Sequence, residues 1–178
     1  MNQLRREMNH KKGQLLKSIG INILEKEFNE SSLINISKEK TLSEEFIREF
    51  QDSVDWYNIS RYQTLSEGFI REYQDRVYWN EISFEQTLSE DFLREFENRI
   101  IWETASQTQN MSDEFLIEFQ KKIFWEWYFD SQDASFEIMK KFILKTNYTK
   151  LEFNYLHLNE SQMQEIEKIL SLKNIFTN

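Results

Sequence analysis

Ten residues beginning at Thr41 come back three times at a fixed interval, and that interval limits what the chain can fold into. Thr41-Leu42-Ser43-Glu44-Glu45-Phe46-Ile47-Arg48-Glu49-Phe50 returns as Thr64-Leu65-Ser66-Glu67-Gly68-Phe69-Ile70-Arg71-Glu72-Tyr73. It returns again as Thr87-Leu88-Ser89-Glu90-Asp91-Phe92-Leu93-Arg94-Glu95-Phe96, and more loosely as Asn110-Met111-Ser112-Asp113-Glu114-Phe115-Leu116-Ile117-Glu118-Phe119. The copies start at 41, 64, 87 and 110, an offset of 23 each time, and Trp56, Trp79, Trp102 and Trp125 keep the same register. Repetition at such a period marks a stacked array, in which one unit cannot bury its apolar face alone and its neighbours supply the other wall.

Degenerate copies flank these four. A further shift of 23 places Ile138 and Phe142 on the two phenylalanine positions and Tyr148 on the tryptophan position. Towards the N-terminus, Asn35-Ile36-Ser37 aligns with Asn58-Ile59-Ser60, and Leu158-Asn159-Glu160 with Met163, Ile166 and Leu170 reads as a last half-unit. The expected organisation is therefore N-terminal capping helices with a degenerate repeat over 1–40, the four clear repeats over 41–132, and degenerate repeats with a C-terminal cap over 133–178.

Each unit reads as two short helices. Ser43, Ser66, Ser89 and Ser112 stand at an N-cap with acids in the first turn behind them, which suits both the cap and the helix dipole. Phe46, Ile47 and Phe50 then form one apolar stripe. Trp56 with Ile59 begins a second helix, which Asp55 caps in the first copy and Asn147 in the fifth. The equivalent Tyr78, Ile101 and Phe124 have no capping side chain, so Val77-Tyr78-Trp79 and Ile100-Ile101-Trp102 also fit short strands of an α/β solenoid. Three Gly and no Pro in 178 residues disfavour tight strand turns. The expectation is an all-α solenoid of helix pairs, with one helix and one strand per repeat as the alternative.

The recurring Leu-Ser-Glu-x-Phe-Ile-Arg-Glu-Phe-x-x-x-Val-x-Trp-x-x-Ile-Ser unit resembles a repeat of phage, giant-virus and some bacterial proteins. The resemblance covers about 41–132 and implies no single activity. It suggests a viral origin.

Phe46, Phe50, Trp56, Phe69, Trp79, Phe92, Phe96, Trp102, Phe115, Phe119 and Trp125 are the expected core, and truncating Trp79 to alanine is expected to cost about 3–5 kcal/mol. Stacking demands sameness inside and is indifferent to what points outwards. Just after each tryptophan the copies differ: Tyr57, Asn58, Arg61 and Tyr62, then Asn80, Glu81, Phe84 and Glu85. The third and fourth copies carry Glu103, Thr104, Gln107 and Thr108, then Glu126, Trp127, Asp130 and Ser131. Aromatic rings mixed with acids have the composition of a protein-binding surface; neutral drift on a solvated face produces the same variability.

Residues 41–132 hold 20 Asp and Glu against 8 Lys and Arg, a charge of −12, whereas residues 1–18 carry +4. An acidic array can mimic nucleic-acid phosphate or steer a basic protein. The spacings also permit internal pairing, because Glu44/Arg48, Glu67/Arg71 and Glu90/Arg94 are i, i+4 with the acid first. Glu72/Arg76, Glu95/Arg99 and Glu118/Lys122 offer a second such row. The basic N-terminal segment is expected to be a capping helix.

Catalytic constellations are scarce. His10 and His157 are the two histidines and there is no cysteine, so neither a disulfide framework nor a thiolate zinc site exists. No phosphate-binding loop, nucleotide fingerprint or nucleophile elbow occurs. No run approaches a membrane span and no secretory h-region opens the chain, so the expected location is the cytoplasm, of a host cell if the origin is viral. The expected function is non-enzymatic binding of a protein partner, without cofactor or metal, and without a membrane or direct nucleic-acid contact. Its natural form in a virus is inhibition of a host-defence protein, of the anti-CRISPR kind, or of a nucleic-acid-handling protein. The alternatives are an acidic nucleic-acid mimic and a self-assembling structural array.

Overall fold

The computed structural model describes residues 2–21, 30–148 and 158–177. His157 lies outside the described residues. Among the described residues there are helices and turns and no strand, so the segment after each repeat's valine or isoleucine is helical and the α/β alternative does not hold. The chain divides into two compact units, Met1–Gln86 and Thr87–Asn178.

The first unit holds α1 (Asn2–Ser18), α2 (Glu30–Glu39), α3 (Glu44–Glu49), α4 (Trp56–Tyr62), α5 (Glu67–Glu72) and α6 (Trp79–Glu85). The second holds α7 (Glu90–Glu95), α8 (Trp102–Thr108), α9 (Asp113–Glu118), α10 (Trp125–Ser131), α11 (Phe136–Phe142), a 3-10 turn (Ile143–Lys145) and α12 (Glu160–Thr177). Within the first unit α2 packs on α4 and α4 on α6; within the second α8 packs on α10, which also meets the 3-10 turn. Each unit is thus a stack of short helix pairs of the α-solenoid kind.

The serines cap as the spacing predicts. Ser43, Ser66, Ser89 and Ser112 each accept a hydrogen bond at 3.1–3.2 Å from the backbone N–H three residues on. Ser135, one period further, does the same for Ile138 at 3.2 Å. Asp55 caps α4 by accepting from the Asn58 N–H at 2.9 Å. Tyr78, Ile101 and Phe124 make no side-chain cap bond, yet the helices behind them form. The backbone N–H groups of Tyr78 and Phe124 donate to the hydroxyls of Ser60 and Ser106, eighteen residues earlier, at 2.9 and 3.1 Å. The Asp55 N–H makes the same bond to the Ser37 hydroxyl at 3.4 Å, so this tie to the preceding helix pair is shared by capped and uncapped copies alike.

The interior is aromatic. Phe46, Phe69, Phe92 and Phe115 are fully buried, and Phe50, Phe96, Phe119, Trp56, Trp102 and Trp125 nearly so. Trp79 is half-buried. Trp56, Trp102 and Trp125 stack on rings of the next repeat. Trp56 meets Phe69 and Tyr73 at centroid distances of 6.2 and 4.9 Å. Trp102 meets Phe115 and Phe119 at 6.2 and 5.2 Å, and Trp125 lies 4.0 Å from Phe142. The indole N–H of Trp56, Trp79, Trp102 and Trp125 donates to the carbonyl five residues earlier at 2.9–3.1 Å, so burial strands no donor.

Helices of six or seven residues leave most of their backbone groups without an intrahelical partner, since four N–H and four C=O groups are orphaned per helix. A glutamine at the end of each second helix, buried at Gln63, Gln86 and Gln109 and half-buried at Gln132, answers this. The Gln63 amide donates to the carbonyls of Ser37 and Lys40 at 2.9 and 2.8 Å and accepts from the Leu42 N–H at 2.7 Å. Gln86 repeats the pattern on Ser60, Gln63 and Leu65 at 3.1, 2.8 and 2.9 Å. In the second unit Gln109 accepts from the Leu88 N–H at 3.0 Å, and the Gln132 amide donates to the Gln107 carbonyl.

Gln86→Met keeps the shape of the side chain but removes its amide from three backbone groups. Each buried group left unpaired costs about 1–3 kcal/mol, so a loss of at least about 3 kcal/mol is expected in denaturant unfolding. The exposed neighbour Glu85→Met is expected to stay within about 0.5 kcal/mol. Equal stability of the two variants would show that the amide ties nothing.

Candidate functional site

The second helices carry the variable positions. On the first unit Tyr57, Tyr62 and Phe84 stand 37%, 44% and 44% exposed, joined by Tyr78 at 51%. Tyr57 and Tyr78 meet edge to face at 5.5 Å. Arg61 lies among them. Its guanidinium donates to the Tyr57 hydroxyl at 2.8 Å, sits 5.5 Å from the Tyr62 ring centre, and pairs with Glu81 at 3.4 Å and Glu85 at 4.0 Å. Lys38 covers Tyr62 at 5.7 Å. The Asn58 amide donates to the Ile34 carbonyl at 3.4 Å.

Glu81 departs from its expected outward placement and is buried. The reason is electrostatic, because Arg61 offers it a counter-charge and the Asn80 amide a hydrogen bond at 3.2 Å. Tyr78 was not among the expected surface residues, nor were Ile101 and Phe124, which are 38% and 47% exposed on the second unit. Their signal was present in the sequence: apolar residues standing in the register of the capping Asp55, where a polar cap is preferred.

On the second unit Phe124 and Trp127 pair at 6.0 Å, with Trp127 half-buried. Glu103 and Asp130 are exposed. Glu126 accepts from the Asn147 amide at 3.1 Å, while Asp130 accepts from the Tyr148 hydroxyl. Asn147, read as a fifth-copy cap, thus reaches back to α10; a helix behind it would lie outside the described residues.

The first helices present a different face. The expected i, i+4 pairs Glu44/Arg48, Glu67/Arg71 and Glu90/Arg94 close at 3.4, 3.5 and 3.6 Å. The second row is arranged across repeats. Arg48 reaches Glu72 at 2.8 Å while Arg76 pairs with Asp52 at 3.1 Å; Arg94 reaches Glu118 at 2.9 Å while Lys122 pairs with Glu97 at 3.5 Å. The same cations lie over rings, Arg48 on Phe69 and Arg94 on Phe115 at 4.9 Å, Arg76 on Trp56 at 4.9 Å and Lys122 on Trp102 at 5.6 Å. At the unit ends, Lys11 of α1 meets Glu45 at 3.0 Å and Lys140 meets Glu165 of α12 at 3.3 Å. Ile117 replaces the arginine of this row and lines a shallow cavity of about 470 Å³ with Asp113, Glu137, Ile138, Lys140 and Lys141.

No group of three or more potential metal ligands occurs among the described residues. His10 is exposed and bonds to Gln14 at 2.9 Å. No described helix is long and apolar enough to cross a membrane. Comparison with protein-family models, curated proteins and solved structures gives no match for this chain.

Partial burial pushes the carboxyls of Glu44 and Glu90 up, but bonds from the Ser66 and Ser112 N–H groups at 2.7 and 2.6 Å, with Arg48 and Arg94 alongside, hold both below their ordinary value of 4.5. A carboxylate depressed in the folded state contributes stability above its unfolded pKa and loses it as pH falls through the folded one. The Glu44→Gln/Glu90→Gln variant is therefore expected to show a flatter decline of stability than the parent below pH 4.5. Parallel acid-unfolding curves would contradict this.

Proposed function

We propose that this chain is a non-enzymatic scaffold that binds another protein through the outward faces of its second helices. The observation that carries the reading is the contrast between the two faces. The first-helix carboxylates Glu44, Glu67 and Glu90 pair with arginines and Glu45 with Lys11, and Glu44 and Glu90 also accept from backbone N–H groups of the same unit. Second-helix rings at Tyr57, Tyr62, Tyr78, Phe84 and Phe124 remain 37–51% exposed. Exposed aromatic side chains set among polar residues are what binding hot spots are made of, whereas an isolated surface would gain nothing from them. The interacting positions are Tyr57, Asn58, Arg61, Tyr62, Phe84 and Glu85 on one unit and Glu103, Glu126, Trp127 and Asp130 on the other. Glu81 acts behind them by holding Arg61.

The resemblance of the repeat to phage and giant-virus proteins supports extending the proposal to inhibition of a host factor in the host cytoplasm. Phosphate mimicry draws less support, because the most regular carboxylates, Glu44 and Glu90, are bonded to backbone N–H groups. Open-ended self-assembly is opposed by the terminal helices. α1 gives Lys11 to Glu45, and α12 buries Ile166 and Leu170 beside its Glu165–Lys140 pair.

Immobilised full-length protein, exposed to lysate of its native host cell, tests this. A protein retained by the parent is expected to be lost with Tyr57→Ala or Trp127→Ala and kept with Glu114→Gln. Unchanged capture by both aromatic variants would overturn the placement of the site, and loss of capture with Glu114→Gln but with neither aromatic variant would favour phosphate mimicry.

A further inference from the structure

The second-helix face of the second unit lacks the cation that the corresponding face of the first unit carries. Arg61 stands in the middle of the first face, between tyrosine rings and carboxylates. The same register is occupied by Gln107 on α8 and Asp130 on α10. These two helices contain three carboxylates, Glu103, Glu126 and Asp130, and no lysine or arginine.

The rings tell the same story. Cations of the chain lie over Trp56, Trp102 and Trp125, and over Tyr57 and Tyr62. Among the described residues none lies over Phe124 or Trp127, although these rings pair with each other and have Glu126 beside them. Glu126 and Asp130 have neutral partners, the Asn147 amide and the Tyr148 hydroxyl, and among the described residues no cation pairs with either.

We propose that this face binds an arginine-rich segment of a basic protein, with a guanidinium lying on Trp127 and Phe124 and donating to Glu103 or Glu126. The inference rests on the reading of the second-helix faces as binding surfaces and names the partner's chemistry. Charge complementarity favours it, since residues 87–132 hold ten Asp and Glu against four Lys and Arg and attract a basic segment from a distance. Arginine suits the site better than lysine, because its planar, weakly hydrated head stacks on an aromatic face while its N–H groups reach a carboxylate.

Fluorescence anisotropy with labelled nona-arginine and nona-lysine, using the full-length chain at 0.15 M salt, tests it. Nona-arginine is expected to bind the parent more tightly than nona-lysine. Phe124→Ala/Trp127→Ala, which changes no charge, is expected to weaken nona-arginine at least about fivefold. Glu103→Gln/Glu126→Gln, which keeps both rings, is expected to do the same, with Glu114→Gln/Glu167→Gln as the matched charge control. An equal effect of the control pair, equal binding of the two peptides, or unaltered binding by the ring variant overturns the proposal. If nona-arginine does not bind while a host protein is still lost with Trp127→Ala, the binding face stands and its arginine preference falls.

Discussion

The fold depends on a side-chain amide doing the work of backbone. Helices as short as α3 and α4 are not stable by themselves, because nucleation is unfavourable and few hydrogen bonds follow it. Nearly all their polar groups face an end. Gln63 and Gln86 close those ends from the following repeat, taking two carbonyls and giving one acceptor each. The buried hydroxyls of Ser60 and Ser106 hold the N–H of the residue just before the next second helix. Aromatic stacking supplies most of the apolar burial, but these polar side chains fix how far one pair sits from the next. A repeat is therefore incomplete without its neighbour in hydrogen bonding as well as in packing.

That arrangement separates two kinds of surface. The first-helix face is tied into a lattice in which an arginine meets an acid on its own helix, another on the next repeat, and a phenylalanine ring beneath. Single exposed pairs contribute little, yet their geometry fixes where charge can sit. The second helices are bound to the interior by one edge, at Trp56, Ile59 and Ser60 and their equivalents. Their other edge is free to differ from copy to copy without disturbing the stack, and there the rings at Tyr57, Tyr78 and Phe124 emerge.

The period, the serine caps, the Phe and Trp interior and the first row of ion pairs were legible in the sequence because each depends on spacing within one repeat. What escaped notice acts between repeats. Gln63, Gln86, Gln109 and Gln132 recur every 23 residues like the tryptophans, but a glutamine between two helices reads as a solvated loop residue until its burial is seen. Arg48 has acids within reach at both Glu44 and Glu72, and an i, i+4 rule sees one of them. Glu81 looks outward by helical phase and turns inward because Arg61, on the neighbouring helix α4, balances its charge. Tyr78 and Phe124 leave strands open as an alternative in the sequence, yet α6 and α10 form without a side-chain cap bond, because their packing on neighbouring helices lies beyond one repeat.

Native-state hydrogen exchange at the Leu65 and Leu88 amides tests the central claim most directly. Both N–H groups lie outside any helix and donate to Gln86 and Gln109 side chains. If glutamines hold the repeats together, these amides exchange as slowly as those in the middle of α5 and α7, through the same cooperative opening. Exchange at the rate of an open loop, with the helices still protected, would contradict it.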